Sequence, residues 1–163
     1  MMVLSILLVA ACTACLPLIV RLISYIFPHI QFQPAAHWPT SLAAVLIAVS
    51  VFLPDIHIST HTQTFQQHFV GGGMYTACLY FYARQLFGWQ FSWIVELLVL
   101  FAWISAFGVA NKLAEFTIAQ MGIAHITTSD ADWDLLANTL GGFVGYGLLE
   151  FTKALSKAKS SRK

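Results

Sequence analysis

Five apolar runs, at residues 3–26, 40–54, 69–87, 91–111 and 133–151, take up most of this 163-residue chain. A membrane-crossing helix needs about 20 mostly apolar residues, because the hydrocarbon core is about 30 Å thick and a helix rises about 1.5 Å per residue. The first run is broken only by Arg21, and the second is short. Prolines 28, 34, 39 and 54 punctuate the first two, as expected of a residue that cannot continue a helical hydrogen-bond ladder. Hydrophobic residues make up 58% of the chain and charged residues 9%, against roughly 45–50% and 25% in soluble domains. A soluble fold of this length has too little interior to hide so much apolar surface, and a bilayer supplies the missing apolar solvent. The expected fold is an all-α polytopic transmembrane helix bundle of about five spans. It comprises a bundle over residues 1–152 and a basic cytoplasmic tail over 153–163.

The distribution of Lys and Arg orients such a bundle. Five of the eight fall in the last eleven residues: Lys153, Lys157, Lys159, Arg162 and Lys163. With that tail in the cytoplasm and five crossings, Arg84 and Arg21 also fall on the cytoplasmic side, Lys112 alone falls on the far side, and the amino terminus lies outside. The expected location is the bacterial inner membrane. The basic tail has no aromatic or glycine-rich module beside it, so nucleic acid is not an expected partner. The bilayer is the first partner, with an amphiphilic ligand or another membrane protein as the second. Cys12, Cys15 and Cys78 lie inside apolar runs, where thiols pack as small hydrophobes. Cys12 and Cys15 form a C-x-x-C without the βαβ pattern of a redox motif. Val9-Ala10-Ala11-Cys12 has the form of a lipoprotein cleavage box, but no basic residue precedes it and the apolar run continues beyond.

The same orientation places Asp55, His57, His61, His68, Glu115, His125, Asp130, Asp132 and Asp134 at the outer side. Glu96 and Glu150 fall at the inner side, as anchors beside Arg84 and Lys153. Three outer segments carry the candidate chemistry. His68 precedes Gly71-Gly72-Gly73, glycines that permit close helix packing or close ligand approach. Asn111 and Glu115 share a helix face, with Lys112 placed to pair with Glu115. Asp130 and Asp132 suit a helix amino terminus, and Asp134 and Asn138 lie deeper on one face. That face is next to a small-residue stripe of Ala137, Gly141 and Gly145, so the Asp–Asn pair is expected to face the bundle interior. His68, Glu115, Asp134 and Asn138 are therefore the candidate catalytic groups, with Asp130, Asp132 and Arg84 as candidate ligand contacts. Residues 56–67 read as a loop, where Asp55, His57 and His61 are a weak metal constellation; convergence of His68, Glu115 and Asp134 is a second. No phosphate-binding glycine loop, nucleophile elbow or H-E-x-x-H sequence points to a particular cofactor.

Across residues 65–148 the chain resembles the YjdF-type family of uncharacterised bacterial inner-membrane proteins. The resemblance rests on His68-Phe69 followed by Gly72 or Gly73 and Arg84, on Glu115, and on Asp132-x-Asp134 leading to Asn138 and Gly141-Gly142. Where those proteins carry an acidic residue shortly before the histidine, this chain has Gln66 and Gln67. The last helix is also similar to the VanZ-like family, through Glu115 upstream of Asp134, Asn138, Gly141 and Gly145; the basic residue often found shortly before that aspartate is absent. The VanZ-like resemblance implies an envelope-lipid role at the outer leaflet. Two functions follow as expectations: an enzyme or binder of a lipid or isoprenoid-linked headgroup, or a non-enzymatic assembly factor packing through its glycine-rich helices. A transporter is disfavoured by the lack of an inverted repeat.

Overall fold

The computed structural model describes residues 2–54, 56–58, 61–122 and 131–160, and within these it leaves undescribed the side chains of residues 2–5, 56–58, 61–63, 115, 131, 132, 157 and 160. The regular elements of the described chain are helices apart from one pair of short antiparallel strands. Helix α1 spans Met2–Ile26 and α2 spans Trp38–Ser50. A short hairpin follows, β1 Ile56–Ile58 against β2 His61–Gln63, antiparallel, with His57 opposite Thr62. Helix α3, residues 65–87, is a composite rod: an α turn at Phe65–Gln67, a π-helical stretch at His68–Met74, and a regular α-helix at Tyr75–Phe87. Helices α4, Trp93–Gln120, and α5, Ala131–Ser160, complete the fold.

These bounds correct the sequence reading in one place and extend it in two. Residues 56–67 are not loop throughout, because β-branched Ile56, Ile58 and Thr62 favour extended pairing and Phe65 already opens α3. Helix α4 continues past Asn111 to Gln120, since Lys112-Leu-Ala-Glu-Phe contains no breaker before Gly122, which takes the left-handed conformation at φ 68°. Helix α5 runs through Lys153 to Ser160. The start of the basic tail is therefore a continuation of the last helix.

Contacts between helices fix their directions. His68 of α3 meets Asp134 of α5, and Arg84 of α3 meets Glu150 of α5, so these two rods run parallel. Lys112 meets Asp134 while Glu96 meets Arg84, so α4 runs against both. Ser50 of α2 lies by Gly71 and Trp38 by Phe81, which makes α2 antiparallel to α3. Thr13 of α1 bonds Tyr75 at 3.0 Å, and Arg21 bonds His37 at 3.3 Å just before α2. Successive helices thus alternate in direction, and Arg21, Arg84 and Lys153 gather at one end of the bundle.

The core is built on α3: Ala77, Cys78, Tyr80 and Phe81 are buried against Ala43, Leu100, Ile104, Tyr146 and Leu149. Outside it the polarity is inverted. On α5 the buried positions besides the core residues Tyr146 and Leu149 are Asp134, Ala137, Asn138, Gly141, Gly142 and Gly145, while Leu136, Leu140, Val144, Leu148, Phe151 and Leu155 are exposed. Two helical segments, Ile6–Ile26 and Trp93–Gln120, are long and apolar enough to cross a membrane, and α2 is a shorter apolar helix.

Candidate functional site

The close approach of α3 and α5 begins with glycine. A Cβ at Gly72 would run into the Asn138 side-chain oxygen, one at Gly73 into the Asn138 carbonyl, and one at Gly141 into the Phe69 carbonyl. Backbone therefore lies against backbone where His68–Met74 adopts π geometry. A π stretch widens the helix and inserts one residue into the face, and such bulges concentrate at functional positions. Here the widened turn sets His68 level with Asp134 and Gly72 level with Asn138, one turn deeper. The expected small-residue stripe of Ala137, Gly141 and Gly145 is present, and it is covered by α3 of the same chain: Gly145 faces Met74 and Ala77.

Asp134 is the hub. Its side chain is only 6% exposed, and both carboxylate oxygens are engaged. Oδ1 lies 3.1 Å from His68 Nε2 and accepts a 3.3 Å hydrogen bond from Thr64 Oγ1; Oδ2 accepts one from Lys112 Nζ at 2.5 Å. His68 and Lys112 are more open, with side chains 21% and 28% exposed. A buried carboxylate so held fixes the orientation of both partners, as a second group does for a working histidine. With a neutral imidazole the trio carries no net charge, and with a protonated one it carries +1. The arrangement can therefore hold an anionic group against His68 and Lys112, and His68 can exchange a proton there. Asn138 lies beneath, 6% exposed, with its Oδ1 buried and without a hydrogen-bond partner among the described residues. A buried amide oxygen left unpaired costs about 1–3 kcal/mol, the kind of deficit that persists at working sites.

Of the sequence candidates, the fold brings together His68, Asp134 and Asn138 and adds Lys112 and Thr64. Lys112 was expected to pair with Glu115, but its described partner is Asp134. The side chains of Glu115 and Asp132, and all of Asp130, lie outside the described residues, as do Asp55, His125 and the side chains of His57 and His61. Among the described residues no group of three or more His, Cys, Asp and Glu side chains is placed to hold a metal ion.

Arg84 does not belong to this site. It lies sixteen residues further along α3 from His68, at the other end of the bundle. There its Nε is 3.3 Å from Glu96 Oε1, and its Nη1 donates at 2.6 Å to both Glu150 Oε1 and the Tyr146 hydroxyl. Tyr80 and Tyr146 each donate to Glu96 Oε1 at 2.8 Å, and Lys153 stands 3.5 Å from Glu150. The pairing of Arg84 with Glu96 and of Lys153 with Glu150 agrees with the anchor reading. Acid–base groups are not confined to one face, however, because this second cluster is as densely bonded as the first. The sequence shows its charged members, but the two tyrosines that complete it look like core aromatics until the helices are placed. No family model, curated protein or solved structure matches the chain.

Proposed function

We propose that this chain is a five-crossing membrane protein that binds the anionic headgroup of an envelope amphiphile, a lipid or an isoprenoid-linked phosphate, at the non-cytoplasmic ends of α3, α4 and α5. His68 and Lys112 contact the headgroup, Asp134 holds both in place, and His68 serves as the proton-exchanging group if the bound molecule is also transformed. The observation that carries this reading is the buried Asp134 carboxylate bridging two partly exposed side chains, the His68 imidazole and the Lys112 ammonium, at one end of the bundle.

The apolar stripe on α5 supports the membrane setting, since six large side chains left in water would form an aggregation surface. Among the charged residues that lower the hydropathy of α3 and α5, Arg84, Asp134 and Glu150 are paired across helices, as ionisable groups within a bilayer must be. Helix α2, at 13 residues, is about 20 Å long and crosses with the help of its flanking segments or a locally thinned bilayer. The positive-inside asymmetry sets the amino terminus outside and the basic end of α5 in the cytoplasm of a bacterial inner membrane. The resemblance to YjdF-type and VanZ-like proteins agrees with an envelope role. The assembly-factor alternative would use the glycine faces for a partner, and those faces are covered within the chain.

Native mass spectrometry of the full chain, released from mild detergent with copurified lipid, tests the proposal. A phosphate-bearing amphiphile retained by wild type and lost from folded His68→Gln and Lys112→Gln proteins is the expected result. Equal retention in all three sinks it.

A further inference from the structure

Two cavities of about 490 Å³ and 470 Å³ adjoin at the end of the bundle away from Asp134. They share Phe81, Gln85 and Lys153 and so form one groove; Trp38 lines one half, and Arg84 and Trp89 the other. Their size is that of a site for a small ligand, which commonly falls at about 300–1,000 Å³. The charged groups along the groove, Arg84 and Lys153, are cations, and Gln85, Gln90, Thr152 and Ser156 add neutral polar groups. Arg84 spends Nε on Glu96 and Nη1 on Glu150 and Tyr146, and no described residue takes Nη2. Gln85 accepts from the Ala36 N–H through Oε1, which leaves its Nε2 donors without a described partner. Lys153 is held loosely, 3.5 Å from Glu150 and 5.5 Å from the centre of the Phe81 ring. No aspartate or glutamate lines either half.

Guanidinium, amide and ammonium donors within aromatic walls match a phosphate attached to something apolar. The lack of a lining carboxylate disfavours a headgroup that also carries an ammonium. Tryptophans at such a position are the side chains that settle at headgroup level. We infer that this groove binds the phosphate of an acidic phospholipid in the leaflet facing the basic end of the bundle. This site is separate from the Asp134 site. The lipid as source rests on the membrane reading above, whereas the phosphate chemistry does not.

The test uses the full chain reconstituted in phosphatidylcholine vesicles, with tryptophan fluorescence quenched by dibrominated phosphatidylglycerol or dibrominated phosphatidylcholine. Half-quenching is expected at about fivefold lower mole fraction of the acidic lipid, the preference one well-placed cation confers near a bilayer. The Gln85→Ala/Lys153→Gln double variant, which spares the buried Glu96 contacts, should bring that ratio close to one while helicity by circular dichroism stays unchanged. Preference that survives millimolar inorganic phosphate identifies the lipid as the source. Displacement by phosphate identifies a soluble phosphate compound in the same groove. Equal quenching by both lipids, with no response to phosphate, overturns the inference. If flotation shows that the chain does not enter vesicles, the membrane reading fails independently. Titrating the detergent-free chain with inorganic phosphate then decides: a fluorescence change lost in the double variant supports the groove, and no change refutes it.

Discussion

Asp134 is buried, and three other side chains, Thr64, His68 and Lys112, meet its carboxylate. Removing it takes the carboxylate from between Lys112 and His68, side chains that are 28% and 21% exposed, and the loss of such a partly buried network costs about 1–3 kcal/mol. Asp134→Ala should therefore lower the thermal midpoint in detergent strongly, and Asp134→Asn less so because the amide oxygen still accepts from Lys112. A double-mutant cycle of Asp134→Asn with Lys112→Met should show coupling of about 1–3 kcal/mol. Additivity within error would mean that the two side chains do not interact in the folded protein. At the other end, the half-open Lys153–Glu150 pair belongs to the class of exposed ion pairs worth under about 1 kcal/mol. Lys153→Ala should leave the midpoint almost unmoved, whereas Arg84→Ala, which strands Glu96 and Glu150 together, should collapse it. Asp134 and Asn138 were legible from sequence because their four-residue spacing beside small residues leaves only the interior as a tolerable direction. The contact of Lys112 with Asp134 was not legible, because an i,i+3 partner can be counted along a chain, whereas a partner 22 residues away on another helix cannot.

At the scale of the element, the π stretch and its glycines decide how closely α3 and α5 meet. Their role as a packing surface could be read from Gly71-Gly72-Gly73 and from the Ala137–Gly141–Gly145 spacing. The π geometry could not, since it arises from the fit of two particular backbones and has no residue pattern of its own. Positions along these helices should respond unequally to the same substitution. Gly73→Ala places a methyl group against the backbone of Asn138, Gly141 and Gly142, which cannot yield as a side chain would, and should cost at least about 1–3 kcal/mol. Gly147→Ala meets no atom within 4 Å and lies in the interior of α5, so it should stabilise the helix by about 0.5–1 kcal/mol. Parallel thermal melts of the two variants make the comparison. A neutral Gly73→Ala would show that the helices stand further apart than described. The hairpin at residues 56–63 was read as loop for a related reason: its apolar content is too small to declare itself by periodicity, and only pairing across the turn reveals it.

For the molecule as a whole, the deciding quantity is the number of crossings, and parity makes it measurable. Helices α1 and α4 are long and apolar enough to cross a membrane; α2 is short, and α3 and α5 are charged. If only α1 and α4 crossed, the two ends of the chain would lie on the same side of the membrane. Five alternating helices that all cross place the ends on opposite sides. Charge in α3 and α5 does not argue against crossing when Arg84, Glu96, Glu150, Lys112 and Asp134 find their partners inside the bundle and the exposed stripe on α5 is leucine, valine and phenylalanine. Fusing a fluorescent protein that matures only in the cytoplasm to each end in turn reads the parity directly. The carboxyl-terminal fusion should fluoresce and the amino-terminal one should stay dark. A secreted phosphatase fused at the same positions should give the converse, active at the amino terminus only. Two fluorescent fusions would require an even number of crossings. The alternating directions of the helices would then describe a bundle only partly inserted, with the Asp134 cluster and the Arg84 groove no longer facing opposite leaflets.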